Sequence, residues 1–239
     1  MNSARALVHQ LWIGPLTELE RLSLRSFVAH GHEVWLWTYG DVGPIPAGVV
    51  RKSGEEVLPA SRIFRYREFD TVAGFSNLFR YSVLLASGGT WSDSDVVCLR
   101  PLPEDPYLIP SEDLPEGLQR ANCVLRAPAG SDFLRLLRDR SFAVPPAEMK
   151  WGQTGPKLVT AVTAELGLQW LPARAFCPVP FSHWDRLLSA APQVVADNRA
   201  ALEGASGVHL WHELWRRAGR TAADAEPGSL VAELLQRYP

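Results

Sequence analysis

Apolar and polar positions alternate along this chain in blocks that read as strand, helix and strand. Leu7–Trp12 is a buried-strand pattern, and Thr17 with Glu20 forms a Thr-x-x-Glu capping box that opens a helix running to about His30, with Gly31 as its stop. Glu33–Thr38 reads as a second strand; the turn Gly40–Gly48, with Pro44 and Pro46, leads to a weak third strand at Val49–Lys52. A β-α-β opening of this kind predicts a mostly parallel sheet flanked by helices, whose ligands bind at the carboxyl ends of the strands.

Further on, Ser76–Ser87 has helical composition, with Leu78, Phe79, Val83 and Leu84 sharing much of one face, and Gly88-Gly89 ends it. Thr90-Trp91-Ser92-Asp93-Ser94-Asp95 follows, then the apolar strand Val96–Leu99 and the stop Arg100-Pro101, so the acidic turn is placed between a helix and a strand. Pro103–Pro115 reads as a loop, Asn122–Ala127 as a short strand, and Asp132–Arg140 as a helix, with a break at Pro145 and Pro146. Gly155–Leu166 reads as helical, Phe176–Phe181 as extended, and Val208–Arg217 as a Trp-rich turn or helix; no internal repeat or low-complexity segment is found.

A length of 239 residues suits one large α/β domain over 1–239, with 46% apolar and 21% charged residues typical of a globular chain. Lys+Arg 24 against Asp+Glu 26 gives a net charge of −2, which supplies no general pull toward nucleic acid or anionic lipid. The three cysteines, Cys98, Cys123 and Cys177, are far apart in sequence, which suggests neither a close-spaced zinc motif nor a disulfide framework. They read as small core hydrophobes in a reducing cytoplasm. No stretch has the length and apolarity of a signal segment or a membrane span, and peripheral membrane contact is left open.

The candidate chemistry lies in Asp93-Ser94-Asp95. A lone Asp-x-Asp is weak, but here a Gly-Gly stop, an aromatic and two carboxylates lead directly into an apolar strand, which anchors the acids at the edge of a core. Carboxylates this close repel unless a cation separates them, and oxygen ligands suit Mn²⁺ or Mg²⁺, ions commonly shared with substrate phosphates.

The stretch Phe75-Ser76-Asn77-Leu78-Phe79-Arg80-Tyr81, Gly88-Gly89 and Trp91-Ser92-Asp93-Ser94-Asp95-Val96-Val97 resembles the signature of the glycosyltransferases with a DXD-containing sugar-binding region, roughly S-D-x-x-R-x-x-x-L-x-x-x-G-G-x-Y-x-D-x-D. That group includes Golgi α-mannosyl-, α-galactosyl- and α-N-acetylglucosaminyltransferases, bacterial polysaccharide enzymes and, distantly, large glucosylating toxins. Two departures stand out, Asn77 where the family usually has Asp and Trp91 where Tyr is commoner. Leu11-Trp12-Ile13-Gly14 resembles the family's first strand end, Trp151-Gly152-Gln153-Thr154-Gly155-Pro156 its donor-facing Gly-Pro segment, and Val208-His209-Leu210-Trp211-His212 its His-x-Trp closing motif.

The resemblance implies a GT-A-like nucleotide-sugar fold, a divalent cation and retention of anomeric configuration by a hexosyltransferase. Residues 1–100 would hold the nucleotide-sugar and 101–239 would close over donor and acceptor. Carried over, Asp95 ligates the metal, Asp93 contacts ribose or sugar hydroxyls and reaches the metal through water, and His209 is a third ligand. Trp12 stacks on the nucleobase, Arg80 and Asn77 hold the donor sugar, and Ser94 and Gly155 face the donor. The implied partners are a UDP-sugar donor and a glycan, glycolipid or other hydroxyl acceptor. Plainer readings stand beside these: Trp12 as a core aromatic, His209 as a structural histidine, and Arg80 as the partner of an acid on a neighbouring loop. Two other functions compete. A phosphohydrolase is disfavoured because Gly88–Ser92, rather than an apolar strand, precedes Asp93; a non-catalytic nucleotide-sugar or glycan-binding module remains open because of Asn77.

Overall fold

In the computed structural model, which describes residues 6–66, 68–115 and 117–239, β1 (Leu7–Ile13) is the middle of a five-stranded sheet. β2 (Glu33–Tyr39) and β4 (Thr90–Ser92) flank it in parallel, β3 (Val49–Ser53) extends it in parallel beyond β2, and β8 (Val124–Arg126) closes the far edge antiparallel to β4. The expected mostly parallel sheet, in the order β3-β2-β1-β4-β8, is thus present, with helices packed against it.

A central strand buried on both faces should be apolar throughout, yet β1 carries His9 and Gln10, both fully buried. Gln10 Nε2 donates to Ser23 Oγ at 2.8 Å, while its Oε1 has no partner among the described residues; both His9 ring nitrogens are used. Trp37 Nε1 donates to His9 Nδ1 at 3.1 Å, which leaves Nε2 to donate to the Gly88 carbonyl at 3.1 Å. Burial drives the His9 pKa down to about 4, so the ring is neutral and can play both roles. The same ring explains Gly89: a Cβ there would lie 2.8 Å from His9 Nε2 and 3.0 Å from the Leu7 carbonyl, in a backbone with φ +80°. Gly-Gly is therefore more than a helix stop, because it lets the chain pass against β1 before turning into β4.

The helix α1 (Glu18–Ala29) opens on the expected box: Thr17 N donates to Glu20 Oε2 at 2.7 Å, and the Thr17 hydroxyl accepts from the first turn. α2 spans Ala73–Ser87 and begins three residues before the expected Ser76, with Phe75 and Phe79 fully buried against the sheet. The largest departure from expectation is β4, three buried residues that form a sheet strand immediately before Asp93. β5 (Val96–Cys98) does not join that sheet; it pairs antiparallel with β9 (Gly207–His209). The acidic turn thus bridges two sheets rather than a helix and a strand.

The expected loop at Pro103–Pro115 contains β6 (Ser111–Leu114), paired antiparallel with β7 (Gly117–Arg120). α3 (Asp132–Phe142) and α4 (Pro156–Glu165) fall where periodicity places them. The Phe176–Phe181 segment is extended only in part, since 3-10 turns occupy Ala173–Ala175 and Phe181–Leu188. α5 (Pro192–Ala201), α6 (His212–Arg217) and α7 (Leu230–Arg237) complete the chain. Cys98, Cys123 and Cys177 are all free and buried, as small core residues. Among the described residues no helix is long and apolar enough to cross a membrane.

Candidate active site

The carboxyl ends of β1 and β4 open into a cavity of about 640 Å³. Trp12, Asn77, Arg80, Asp93, Ser94, Asp95 and His209 all line it, although they come from distant parts of the chain. Gly155 does not. A Cβ at that position would meet Asn122 Nδ2 and Asn77 Nδ2, each at 3.1 Å, so Gly155 stands one layer behind Asn77, while its neighbours Gly152 and Pro156 reach the lining.

β4 ends at Ser92, and the turn that follows is fastened on both sides: Asp93 N donates to the Cys123 carbonyl at 2.6 Å, and Val96 N to the Asp93 carbonyl at 3.1 Å. The two carboxylates then meet different surroundings. Asp93 Oδ1 accepts from Arg80 NH2 at 2.5 Å and from Trp91 Nε1 at 2.8 Å. Burial lifts the Asp93 carboxyl above its usual range, with the Arg80 guanidinium pulling it down and Asp95 pushing it further up. The Trp91 indole N–H is the donor to Asp93, which accounts for an aromatic with a polar edge at this position.

Asp95 accepts from the backbone N–H of His212 at 2.9 Å and lies 3.2 Å from His209 Nε2. Burial alone would raise its pKa, but the His209 charge and hydrogen bond together with the His212 N–H outweigh it and hold the carboxyl at about 2. In return His209 is held well above the usual imidazole range, against burial, chiefly by Asp95. A carboxylate paired with an imidazolium is an arrangement in which a divalent cation can take the place of the proton. One ligand atom each from Asp93, Asp95 and His209 lie within 4.8 Å of one another, and this set of two oxygens and a nitrogen suits Mn²⁺ or Mg²⁺. The residues present therefore fit the expected cation.

Arg80 is only 3% exposed, donates from NH1 to the Asn122 carbonyl at 2.6 Å, and stacks over the Trp91 ring at 4.9 Å. Only NH2 is directed at the acidic turn, where it fixes the position of Asp93, while NH1 holds Asn122 and Nε has no partner among the described residues. Asn77 accepts from Asn122 Nδ2 at 2.9 Å and donates to Thr154 Oγ1 at 3.3 Å. An ionised Asp could not donate the second bond; the Thr154 hydroxyl would have to turn from Met149 Sδ and donate instead. Asn77→Asp is expected to cost about 0.5–1.5 kcal/mol of stability for that rearrangement. It should also reorder kcat/KM among donors sharing one nucleotide, with inhibition by the bare nucleotide diphosphate nearly unchanged. A donor panel with nucleotide inhibition as control checks both, and an unchanged ranking would confine Asn77 to the protein's own network.

Trp12 projects from the end of β1, half-buried, with Nε1 donating to the Pro15 carbonyl at 3.0 Å. Its ring lies nearly parallel to that of His212, with 6.2 Å between centroids and 15° between planes. His212 Nδ1 is 2.9 Å from Glu20 Oε1, and Glu20 is completely buried. Contact with Glu20 raises the His212 pKa against the effect of burial. One histidine on α6 thus links the first turn of α1, the aromatic at the end of β1 and the carboxylate of Asp95. The sequence showed Glu20 only as half of a capping box, and His212 only as the last residue of the closing motif, with no role of its own. Glu112, buried in the cavity wall and bonded by Gln119 Nε2 at 2.6 Å, and Lys157, at the start of α4, were likewise not singled out. Both reach the cavity through folding of elements that short-range patterning does not connect.

Comparison with known proteins bears on the same residues. The family described as "Glycosyltransferase sugar-binding region containing DXD motif" matches residues 58–115, and "Alpha 1,4-glycosyltransferase conserved region" matches residues 147–238. A curated relative, a lactosylceramide 4-alpha-galactosyltransferase of Rattus norvegicus, is 25% identical over 181 residues, or 68% of this chain; the chain spans 46% of that relative's length. Among solved structures, the PaToxG glycosyltransferase superposes with a TM-score of 0.51 at 13% identity, over 98% of this chain and 87% of that one, a likeness of fold.

Proposed function

We propose, on the two glycosyltransferase family matches over residues 58–115 and 147–238, that this chain is a glycosyltransferase of the DXD-containing type that moves a hexose or N-acetylhexosamine from a UDP-sugar to a hydroxyl of a glycan or glycolipid, with retention. The observation that carries this reading is the convergence of Asp93, Asp95 and His209 at the carboxyl end of β4, in one cavity with Trp12. Asp95 and His209 would hold Mn²⁺ or Mg²⁺, with Asp93 beside them. A divalent cation bound there neutralises charge on the departing nucleotide diphosphate.

The chain's own groups supply placement. Trp12 offers a flat apolar face to the nucleobase, and Lys157 a cation to phosphate oxygens at the mouth of α4. Asp93, fixed by Arg80 and Trp91, presents its remaining oxygen to ribose or sugar hydroxyls, with Ser94 alongside. Retention is proposed to follow same-face attack, in which the leaving phosphate oxygen takes the acceptor proton. A buried carboxylate in the cavity wall, Glu112, is held by Gln119 Nε2 at 2.6 Å and is not required as a nucleophile on this route. Residues 1–100 present the donor and 101–239 close over it, though β8 and β9 from the second part pair with strands of the first. Three free cysteines fit a reducing, cytoplasmic setting and a role in polysaccharide or glycan biosynthesis there.

The buried strand β4 does precede Asp93, so strand order by itself does not exclude a phosphohydrolase. The transferase assignment rests instead on the two family matches, which cover the acidic turn and the His209 segment. A panel of nucleotide-sugars incubated with Mn²⁺, read as released nucleotide diphosphate, tests the proposal without an acceptor. Slow cation-dependent hydrolysis of one or a few donors is expected; tight donor binding with neither hydrolysis nor transfer would favour a binding module.

Trp12→Ala is expected to raise the donor KM for every sugar on the same nucleotide, since base stacking contributes roughly 1–3 kcal/mol. Sugar preference should be unchanged. Equal affinity of mutant and wild type for the free nucleotide diphosphate would return Trp12 to packing against His212.

A further inference from the structure

His209 faces a second group of ligands that the proposed reaction does not use. Cys123 and Cys177 are both buried and free, with their Sγ atoms 3.7 Å apart. One donor atom from each, together with a ring nitrogen of His209, lie within 4.8 Å of one another. Cys123 and His209 also line the cavity, so solvent ions can reach this cluster. In addition His209 Nδ1 is buried without a hydrogen-bond partner.

The spacing of the two sulfurs is informative. A tetrahedral zinc with Zn–S bonds of about 2.3 Å separates two thiolates by about 3.8 Å, and the pair here already stands at 3.7 Å. Two thiolates and an imidazole are a soft donor set, suited to Zn²⁺ and poor for Mg²⁺ or Mn²⁺. We propose that Cys123, Cys177 and His209 form a second metal site, selective for a soft divalent ion such as Zn²⁺, which competes for His209 with the hard-cation site at Asp93 and Asp95.

On binding, the two thiols release their protons and the His209 imidazolium releases one as well, so that the ion takes two sulfur lone pairs and one from the now neutral imidazole. The two thiolate charges cancel that of the ion, so the occupied cluster of ion, thiolates and imidazole is neutral. Three protein ligands leave a fourth position for water. A neutral imidazole has one lone pair, so His209 can serve the thiol pair or the carboxylate pair but not both. Zn²⁺ in the soft site therefore removes a ligand from the donor-side cation. Loss of even an outer partner of a metal site typically costs about 10–100-fold in metal affinity or activity, and loss of a ligand should cost at least as much. The inhibitory consequence rests on the function proposed above, whereas the existence of the site does not.

Titration of the protein with Co²⁺ separates the two. A thiolate-to-cobalt charge-transfer band in the near ultraviolet is expected to saturate at one ion per chain and to be bleached by stoichiometric Zn²⁺. It should vanish in Cys177→Ala and persist in Cys98→Ala, because Cys98 bonds elsewhere, to the Arg100 carbonyl. Cobalt held by carboxylates and imidazole alone gives no such band. No thiolate band in the wild-type protein, or a band that survives in Cys177→Ala, overturns the site. In the activity arm, stoichiometric Zn²⁺ should lower Mn²⁺-dependent donor hydrolysis at least about tenfold in the wild type and leave Cys177→Ala unaffected. The predicted band with undiminished wild-type hydrolysis would overturn the sharing of His209. Were no donor hydrolysed at all, the function would fail while the cobalt spectrum still decided the site.

Discussion

Asp95→Asn is expected to lower transfer, and donor hydrolysis, by more than about a hundredfold while the protein stays folded, each 1.4 kcal/mol being tenfold and charge-assisted contacts contributing about 1.5–3 kcal/mol each. The amide keeps the shape of the side chain and can still accept from the His212 N–H. It loses the charge that holds a divalent ion and that keeps His209 in its present state. Circular dichroism with steady-state kinetics at several Mn²⁺ concentrations checks the prediction. Wild-type turnover from a folded Asp95→Asn protein, or full activity in excess chelator, would rule out the metal assignment.

Arg80→Met should have the largest effect on stability. It leaves the Asp93 carboxylate, 25% exposed at the cavity wall, with only the Trp91 N–H as a side-chain partner; breaking one side of a buried pair typically costs 3–5 kcal/mol, and this partial exposure puts the loss at about 3 kcal/mol. For a chain of this length that corresponds to a fall in Tm of roughly 10 °C. Activity should fall as well, because Asp93 loses the contact that aims it. The double variant Arg80→Met, Asp93→Asn separates the two losses: removing the unpaired charge should restore most of the stability and none of the activity. Thermal melts and donor hydrolysis on the single and double variants provide the readout. A double variant no more stable than Arg80→Met would mean that the Arg80 stem over Trp91, rather than its charge, holds this region together.

Much of the donor half was legible because its signals are local. The Thr17–Glu20 box, the apolar runs of β1 and β2, and the Gly88-Gly89 stop each fix structure within a few residues. Strand β4 was missed because Thr90–Ser92 is too short to show alternation; it becomes a strand only through the β1 and β8 edges on either side. The β6–β7 hairpin hides in a proline- and acid-rich stretch that composition assigns to loop. α5 and α7 have weaker signals, with Pro192 and Ser229 as their starts.

The site shows the same division. Asp93, Asp95, Arg80 and Asn77 form one motif of fixed spacing, and the fold brings them to one cavity with Trp12 and His209. What the spacing did not convey is how they are wired. Arg80 grips Asp93, Asn77 is tied to Thr154 and Asn122, and Gly155 supports Asn77 from behind. The hydrogen bonds among them join residues up to 77 apart in sequence, and a single sequence carries no pattern at that range. Nor did it reveal that Glu20 pairs with the His212 ring while the His212 backbone N–H holds Asp95, since each looks locally like an ordinary end of a helix.

Asp93, Asp95 and His209 are proposed to hold a divalent cation against a nucleotide diphosphate. The most direct test is a crystal grown with Mn²⁺ and UDP, with data collected at a wavelength where manganese scatters anomalously. The account predicts one strong anomalous peak within bonding distance of an Asp95 carboxylate oxygen, a His209 ring nitrogen and diphosphate oxygens, with the uracil ring against Trp12. UDP bound in the cavity without a manganese peak there, or manganese ligated elsewhere on the chain, would contradict it.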